Sequence, residues 1–332
     1  MVSSPGFRLP DVADIADAAE RLSGVAVRTP LLTAPALDAA TGARILVKPE
    51  VLQRTGSFKF RGAYNRISRL NAAERAGGVV AFSSGNHGQA VAAVARLLDL
   101  PATIVMPADA PAMKIEATRG HGASVVLYDR DREDREEIAR NIVRDKRATL
   151  VPPFDDPLVI AGQGTVGREI AEDAAQLGAT VDVLLAPCSG GGLIAGATLA
   201  LKDRFPRLAS YAVEPDGFDD TARSLRQGAR IANPPARRTL CDALMAAQPG
   251  ALTFALNRKL LAGGVSVSDD EALSAMAFAF RTLKLVLEPS GAVALAALLA
   301  RKIDVAGKTV AVVCSGGNVD GDVFGRALNY KN

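Results

Sequence analysis

Cysteine and histidine are scarce in this sequence of 332 residues. The three cysteines, Cys188, Cys241 and Cys314, are odd in number and show no CxxC spacing, which is typical of a protein in a reducing cytosol. His87 and His121 are the only histidines, and we do not expect them to pair as metal ligands. A histidine-based zinc site is therefore not expected.

Long apolar runs and a strong charge imbalance are also missing. Runs such as residues 181–187 are too short to span a bilayer, and residues 1–10 have no apolar core of signal-peptide length. With 39 basic and 36 acidic residues, the net charge of +3 predicts no nucleic-acid or membrane partner. The 48% hydrophobic content is enough for a large core, in one big domain or two intertwined ones. We expect a cytoplasmic protein.

The stretch from residue 55 to 63, with the sequence TGSFKFRGA, places Lys59 near the start of a predicted helix. Ser57 is the predicted N-cap of that helix. The positive helix end, two flanking phenylalanines and Arg61 all disfavour an ammonium, so we expect a lowered pKa for Lys59. A partly neutral lysine is what condensation with a carbonyl cofactor requires. The alternative is an ordinary surface lysine in a first helical turn.

Predicted strands and helices alternate along most of the chain. In the first block each predicted strand precedes a predicted helix, with strands at residues 79–82, 102–106 and 124–128. Pro152 and Pro153 mark the end of this block, and the alternation resumes at residue 181. β-branched runs joined by helices indicate parallel strands that are covered on both faces. We therefore predict an α/β fold of two blocks with a cleft between them.

Two glycine-rich segments suggest phosphate sites. Residues 189–193, with the sequence SGGGL, follow a predicted strand and open a helix, so their N–H groups could hold a phosphate. A tight strand–helix turn is the alternative. Residues 162–167 match the GxGxxG dinucleotide fingerprint, but Pro157 interrupts the preceding segment and Asp182 opens the next strand. We interpret this second segment as a glycine-rich helix start and not as an NAD site.

Two charged stretches have plain structural interpretations. Residues 129–140 are interpreted as a solvated helix face without a function. Residues 214–220 carry four acids in seven positions at the end of a predicted strand, which is compatible with a solvated loop.

Four stretches occur together in this chain: SFKFRGA at 57–63, SSGNHGQA at 83–90, SGGGL at 189–193 and SGGN at 315–318. In this order they resemble the fold-type II pyridoxal-phosphate enzymes, specifically the serine/threonine dehydratase and serine racemase group. The resemblance runs from about residue 28 to 320. It implies a two-domain architecture like that of the tryptophan synthase beta chain, with parallel-rich sheets flanked by helices. Residues 1–72 and 156–332 would form a large cofactor-binding domain and residues 73–155 a small mobile domain.

The resemblance also implies roles for individual residues. Lys59 would bind pyridoxal 5'-phosphate and act as the base, and Ser84 would stand on the opposite face of the substrate as a second acid or base. Ser315 would hydrogen-bond the pyridine nitrogen without holding it protonated, which favours elimination. The remaining cofactor contacts would be Phe58, Asn86, Ser189, Gly190, Gly191, Gly192 and Leu193, with Ser189 in place of a glycine. The substrate would be held by Ser83, Ser84, Asn86 and His87.

A cation site is implied as well. Glu214, Asp220 and the carbonyl of Phe218 match the position where several relatives bind Mg²⁺ or Ca²⁺, although Phe218 replaces a smaller residue. All-oxygen ligands suit a hard cation.

The implied activity is that of an ammonia-lyase that converts a 3-hydroxy amino acid to a 2-oxo acid and ammonia. L-Serine, L-threonine, threo- or erythro-3-hydroxyaspartate, phenylserine and ectoine-derived substrates all remain open. One alternative is an amino-acid racemase on the same scaffold, and another is a non-catalytic regulatory protein that binds a cofactor or nucleotide. The sequence ends at Asn332 without the regulatory domain of biosynthetic threonine deaminases, which favours a catabolic enzyme. We expect a homo-oligomer, either a dimer or a tetramer.

Overall fold

The computed structural model describes residues 8–83, 85–234 and 237–330. The strands are β1 Leu32–Thr33, β2 Arg44–Pro49, β3 Val79–Phe82, β4 Ala102–Pro107, β5 Ser124–Tyr128, β6 Thr149–Leu150, β7 Val183–Pro187, β8 Ala209–Pro215, β9 Gly263–Val267 and β10 Thr309–Cys314. The helices are α1 Val12–Leu22, α2 Pro35–Thr41, α3 Lys59–Ile67, α4 Ala72–Ala76, α5 Asn86–Leu97, α6 Ala112–Gly120, α7 Arg135–Lys146, α8 Pro157–Gln176, α9 Gly192–Arg204, α10 Asp220–Gln227, α11 Ala251–Leu260, α12 Asp269–Phe278, α13 Pro289–Leu299 and α14 Gly321–Leu328. Across these described ranges, we find no helix that combines the length and the apolar character needed to span a bilayer.

The first sheet has six strands in the order β1-β2-β10-β7-β8-β9, and only the β1–β2 pair is antiparallel. Its central strand β10 shows why helices cover both faces. Val310 and Val312 pack into one hydrophobic cluster, whereas Ala311 and Val313 pack into another on the opposite face. Side chains alternate between the two faces of a strand, so a continuous apolar run needs a cover on each side. The predicted α/β class is confirmed.

The second sheet has four parallel strands in the order β5-β4-β3-β6. It too has an apolar cluster on each face, with Ile104 in one and Val105 in the other. All four strands lie within residues 79–150, inside the range that we predict for the small domain. The division into two domains and the mobility of the smaller one stay predictions.

The GxGxxG segment lies in the middle of α8, and its assignment to a helix start was wrong. Pro157 is the first residue of this helix and Asp156 caps it, accepting hydrogen bonds from two backbone N–H groups. Proline is well tolerated at that position because its missing N–H would have no helical partner. At Gly162 an alanine Cβ would lie 2.7 Å from the Gly62 Cα, so the glycine allows α3 and α8 to touch along their backbones.

Candidate active site

One cavity lies where the carboxyl-terminal ends of strands from both sheets meet. Its lining includes residues from every stretch that we predicted to bind the cofactor or substrate: Phe58, Lys59, Ser83, Asn86, His87, Ser189, Gly190, Gly191, Gly192, Leu193 and Ser315. Ser84 lies outside the described residues. Parallel α/β sheets bind ligands at this edge because loops and helix N-termini gather there. The individual roles of these residues stay predictions.

Lys59 is the first residue of α3, and its Nζ donates a hydrogen bond to the Pro153 carbonyl over 2.7 Å. The same Nζ lies 5.2 Å from the centre of the Phe58 ring. Burial lowers the pKa of Lys59 to about 8. A substantial fraction of the amine is therefore neutral near physiological pH, as a nucleophilic lysine requires.

Arg61 does not lower the pKa of Lys59, contrary to our expectation, because burial is the one cause of that shift. Its guanidinium turns into the protein and binds Glu50 through Nε at 2.8 Å and Glu169 through Nη1 at 2.6 Å. Lys48 binds Glu169 as well, at 2.6 Å. This cluster of two cations and two carboxylates is almost wholly buried, and it fixes the first turn of α3 to β2 and α8. Its contribution is to hold the position of Lys59.

Ser57 is not the N-cap that we predicted. The residue before α3 is Phe58, and no side chain caps this helix. Ser57 instead forms an isolated antiparallel bridge with Gly316, while the Phe58 N–H donates to the Ser315 carbonyl over 3.1 Å. The extended backbone of Ser57 therefore ties the Lys59 turn to the segment that follows β10.

The glycine-rich loop joins β7 to α9 and leaves the N-terminus of α9 open. Gly191 precedes the helix with φ of 92°, and no side chain caps it. Two hydrogen bonds hold the loop in place: Thr253 Oγ1 donates to the Gly190 carbonyl, and the Ala246 N–H donates to Ser189 Oγ over 3.2 Å. The first N–H groups of a helix have no partner within the helix. Uncapped N–H groups beside a cavity that also holds the Lys59 amine fit an anionic group such as a phosphate.

Asn86 and His87 are held in defined orientations. The Asn86 amide donates to Glu288 Oε1 and accepts from Asn318 Nδ2 over 2.8 Å, so both ends of the amide are assigned. His87 Nε2 lies 2.8 Å from the Val151 carbonyl and must carry the proton, since a carbonyl only accepts. Burial first, and then the nearby charge of Lys59, lower the pKa of His87 to about 3. His87 is therefore neutral, and its buried Nδ1, which makes no hydrogen bond to any described residue, can accept one.

Several cavity residues were missed from the sequence. Arg130 and Arg135 line the cavity, so the interpretation of residues 129–140 as a purely solvated face was wrong at these two positions. Asp242 also lines it and is bound by Lys114 Nζ at 2.9 and 2.8 Å. Pro153, which we interpreted only as a boundary, supplies the acceptor for Lys59. None of these residues stands in a local pattern that signals a pocket, because the fold brings them together from distant segments.

The three proposed cation ligands lie apart from this cavity. The two Glu214 carboxylate oxygens accept the backbone N–H groups of Thr221 and Ala222, both at 2.8 Å. Asp220 Oδ1 accepts from Asn233, whereas its buried Oδ2 makes no hydrogen bond to any described residue. Burial raises the pKa of Glu214 to about 8 and that of Asp220 to about 6.

Glu214, Phe218 and Asp220 are all buried, so the interpretation as a solvated loop does not hold for them. Within the described part of the chain, no group of three or more histidine, cysteine or acidic residues is arranged to hold a metal ion. The two carboxylates are hard oxygen donors in a buried site, and the unpartnered Asp220 oxygen fits a cation there.

A half-buried amine of lowered pKa, an uncapped helix N-terminus and Ser315 at the edge of the sheet share one cavity, an arrangement of an α/β protein that suits an anionic carbonyl cofactor. Residues 22–316 match the family described as pyridoxal-phosphate dependent enzyme. The chain therefore belongs to the pyridoxal-phosphate dependent enzyme family.

Three relatives cover nearly the whole chain. The L-threo-3-hydroxyaspartate ammonia-lyase of Pseudomonas sp is 45% identical over 97% of this chain and 99% of its own. The serine racemase of Schizosaccharomyces pombe is 39% identical over 98% of this chain and 99% of its own. The crystal structure of a threonine deaminase from T.th. superimposes with a TM-score of 0.88 at 41% identity, covering 94% of this chain and 99% of the other.

Proposed function

We propose that this protein is a pyridoxal-phosphate-dependent ammonia-lyase that converts a 3-hydroxy amino acid to a 2-oxo acid and ammonia. The observation that carries the proposal is the half-buried Lys59, whose pKa is lowered to about 8, in one cavity with the open N-terminus of α9. Similarity to a hydroxyaspartate ammonia-lyase and a threonine deaminase supports elimination as the reaction.

The residues present fit the cofactor. Lys59 would hold it covalently, residues 189–193 would hold its phosphate, Ser315 would bind the ring nitrogen, and Phe58 and Asn86 would complete the contacts. Bound there, pyridoxal phosphate withdraws electrons from the substrate α-carbon, a capacity that no amino-acid side chain supplies.

The chain itself positions the substrate and moves protons. Lys59 Nζ, when neutral, takes the proton from the α-carbon, and burial, which lowers its pKa to about 8, increases the fraction of neutral amine. Neutral His87 offers Nδ1 as an acceptor, and Ser83, Ser84 and Asn86 would bind the substrate carboxylate. The hydroxyl group leaves carbon 3 as water, and a second water later takes the nitrogen's place at carbon 2. The net reaction therefore releases one ammonia and consumes no oxidant.

Other features belong to the same proposal. We propose that residues 73–155 form a domain that moves against residues 1–72 and 156–332, supported by their separate sheets. We further propose a cytoplasmic homo-oligomer that acts in amino-acid catabolism. The three free, buried cysteines support a reducing compartment.

We also propose Mg²⁺ or Ca²⁺ at Glu214, Asp220 and the Phe218 carbonyl. The charge of Asp220 adds to burial in raising the pKa of Glu214, so the two carboxylates lie close enough to repel each other. This supports a cation there, because its charge would relieve that repulsion.

The lyase proposal is tested with Lys59→Ala. Wild-type protein reconstituted with pyridoxal phosphate should show the visible absorbance of lysine-bound cofactor and release a 2-oxo acid from serine, threonine or 3-hydroxyaspartate. Lys59→Ala should lose turnover while keeping its circular dichroism spectrum, because the cofactor anchor and the base are removed together. Lys259→Ala, at an exposed helix position, is the matched control. Wild-type protein without the absorbance band, even with added cofactor, would contradict the proposal.

Racemisation is the second candidate, favoured by the 39% identity to a serine racemase. Racemisation needs a proton-transfer group on each face of the α-carbon, and by resemblance Ser84 supplies the face opposite Lys59. We expect L-elimination as the main activity with slow racemisation beside it. Chiral chromatography of serine should show that Ser84→Ala removes racemisation but retains slower elimination. Racemisation faster than elimination in the wild type would reverse this order.

A further inference from the structure

Phe154 lines the cavity, yet the proposed function gives it no role. It lies on the segment that joins β6 of the second sheet to α8. Its ring packs against the backbone of Gly190, since a Cβ added at Gly190 would lie 2.2 to 2.3 Å from three of the ring carbons. Its own backbone packs against Gly192, where an added Cβ would lie 3.3 Å from the Phe154 Cα. Phe154 therefore covers the glycine-rich loop at two of its three glycines.

The next residue, Asp155, holds the same loop through α11. Its carboxylate accepts the first three backbone N–H groups of α11 over 2.8 to 3.2 Å. From that first turn, Thr253 Oγ1 donates to the Gly190 carbonyl. One turn later, Asn257 Nδ2 donates to the Gly191 carbonyl over 3.4 Å. Two carbonyls of the loop are thus bound by a helix whose N-terminus is fixed by Asp155.

The position of these two carbonyls determines the direction of the loop N–H groups. In a trans peptide, the C=O and the N–H of one peptide unit point in opposite directions. The N–H groups of Gly191 and Gly192 therefore point away from the α11 side chains that bind the carbonyls. Within the described part of the chain, neither N–H donates a hydrogen bond. They are donors that a phosphate at the start of α9 would engage.

The residue before Phe154 binds the amine. The Pro153 carbonyl accepts from Lys59 Nζ over 2.7 Å. Three consecutive residues, Pro153, Phe154 and Asp155, therefore hold both groups that the cofactor would bridge, the amine and the glycine-rich loop. A ligand that is attached to Lys59 can place its phosphate in only a limited region. The loop must stay within that region, and this short segment fixes it relative to the amine.

We propose that Phe154 is a positioning residue for the cofactor phosphate, because its ring on Gly190 keeps the N–H groups of Gly191 and Gly192 aligned at the anion site. The inference rests on the proposed pyridoxal-phosphate function and adds a residue that acts on the phosphate through the loop. Loss of the ring leaves the loop free to shift at Gly190, which misaligns these donors.

Titration calorimetry on the apoprotein compares pyridoxal phosphate with pyridoxal, which has the same aldehyde and no phosphate. Phe154→Ala should raise the dissociation constant of pyridoxal phosphate by about 10- to 100-fold, the range that one hydrogen bond to a charged group is worth. The dissociation constant of pyridoxal should change little, because pyridoxal needs only Lys59. Phe154→Leu, which fills part of the space, should fall between wild type and Phe154→Ala. Phe280→Ala, at an exposed phenylalanine that does not line the cavity, is the matched control.

A second substitution tests the contact itself. Gly190→Ala places a methyl group against the Phe154 ring, so it should displace the loop and weaken the binding of pyridoxal phosphate. In the Phe154→Ala background the same methyl group has room and fills part of the space that the ring leaves. The double variant should therefore bind pyridoxal phosphate more tightly than Gly190→Ala alone, a non-additivity expected of residues in contact. Circular dichroism would check that each variant is folded.

Equal losses for pyridoxal phosphate and pyridoxal in Phe154→Ala would overturn the proposal, and so would strictly additive effects in the double variant. Inorganic phosphate, titrated into the same apoproteins, separates this inference from the proposed function. If the wild type forms no lysine-bound absorbance band but binds phosphate more tightly than Phe154→Ala does, the cofactor proposal fails and the role of Phe154 at the anion site stands. A wild type that binds neither pyridoxal phosphate nor inorganic phosphate would contradict both.

Discussion

Gly162→Ala would test whether the backbone contact between α3 and α8 determines the position of Lys59. The added Cβ would lie 2.7 Å from the Gly62 Cα and 2.8 Å from the Arg61 carbonyl oxygen. Carbon atoms in proteins do not approach that closely, and both neighbours belong to the backbone of α3. The two helices must therefore separate, which would carry Lys59 away from the glycine-rich loop.

Two opposing effects determine the size of the change. Alanine favours a helix interior over glycine by about 1 kcal/mol. Overpacking of a tight interior costs about 1–3 kcal/mol, and here no flexible side chain can give way at the closest contact. Separation also stretches the ion pair between Arg61 and Glu169 of α8. We place the overpacking cost in the upper half of its range, at about 2–3 kcal/mol, because the contact is between backbones. After subtraction of the gain of about 1 kcal/mol in helix propensity, we expect the free energy of unfolding to fall by about 1–2 kcal/mol.

Denaturant unfolding and titration with pyridoxal phosphate would measure the two consequences. Gly162→Ala should unfold at lower denaturant and bind the cofactor more weakly. The matched control is Gly325→Ala, inside α14, where an added Cβ meets no atom within 4 Å. That control should gain about 0.5–1 kcal/mol from helix propensity. If Gly162→Ala gained stability as Gly325→Ala does, the reasoning about a rigid backbone contact would be refuted.

Buried charges lead to four further expectations. Because neutral amine accumulates as pH rises through the Lys59 pKa of about 8, cofactor capture by the apoprotein should be half-maximal near pH 8 in stopped-flow absorbance; a rate constant unchanged between pH 6 and 9 would contradict this. In the folded protein the pKa of Asp220 is raised to about 6 and that of Glu214 to about 8, so without a cation the folded state keeps its protons to a higher pH than the unfolded chain does. The free energy of unfolding should therefore fall as the pH rises from about 4 to 8. Added Mg²⁺ or Ca²⁺ should raise the Tm at pH 8, and Asp220→Asn should abolish that rise; a wild-type Tm indifferent to chelator and cation would argue against the site. Finally, Lys114→Met should cost about 3–5 kcal/mol in denaturant unfolding by leaving two carboxylates uncompensated, whereas Lys259→Met should cost nothing, and equal unfolding midpoints would speak against this.

The fold could be predicted from local patterns where those patterns are self-contained. The strand at 124–128 was predicted with its observed bounds, and the capping box that opens α12 is present, with Ser268 Oγ accepting the Glu271 N–H. By contrast, the edge strand β1 is very short, and only Leu32 and Thr33 pair with β2. The extent of an edge strand depends on its hydrogen bonds to the neighbouring strand, so its length cannot be predicted from its own residues.

The residues of the candidate site likewise fall into those that could be predicted from local sequence patterns and those that could not. Lys59 and the glycine-rich loop stand in compact sequence signatures, and both lie in the cavity. The partners that orient other cavity residues come from far along the chain, as when Glu288 binds Asn86 across 202 positions. The pKa of Lys59 was predicted in the right direction, but the contribution of Arg61 was not, because two distant carboxylates bind that side chain. The orientation of a charged side chain therefore cannot be predicted until the residues that bind it are known.

The crossing of α3, α8 and α9 places the proposed cofactor anchors on a different part of the fold from the opposite wall of the cavity. Lys59 begins α3 and the glycine-rich loop leads into α9, and both helices pack against α8, so the two proposed cofactor anchors lie on one packed group of helices. Arg130, Arg135 and Ser83 instead follow strands of the other sheet. A substitution in the loop after β5 would thus alter this wall of the cavity while leaving the contacts among α3, α8 and α9 in place. A protein engineer could therefore vary the loop after β5 without disturbing the helices that position Lys59.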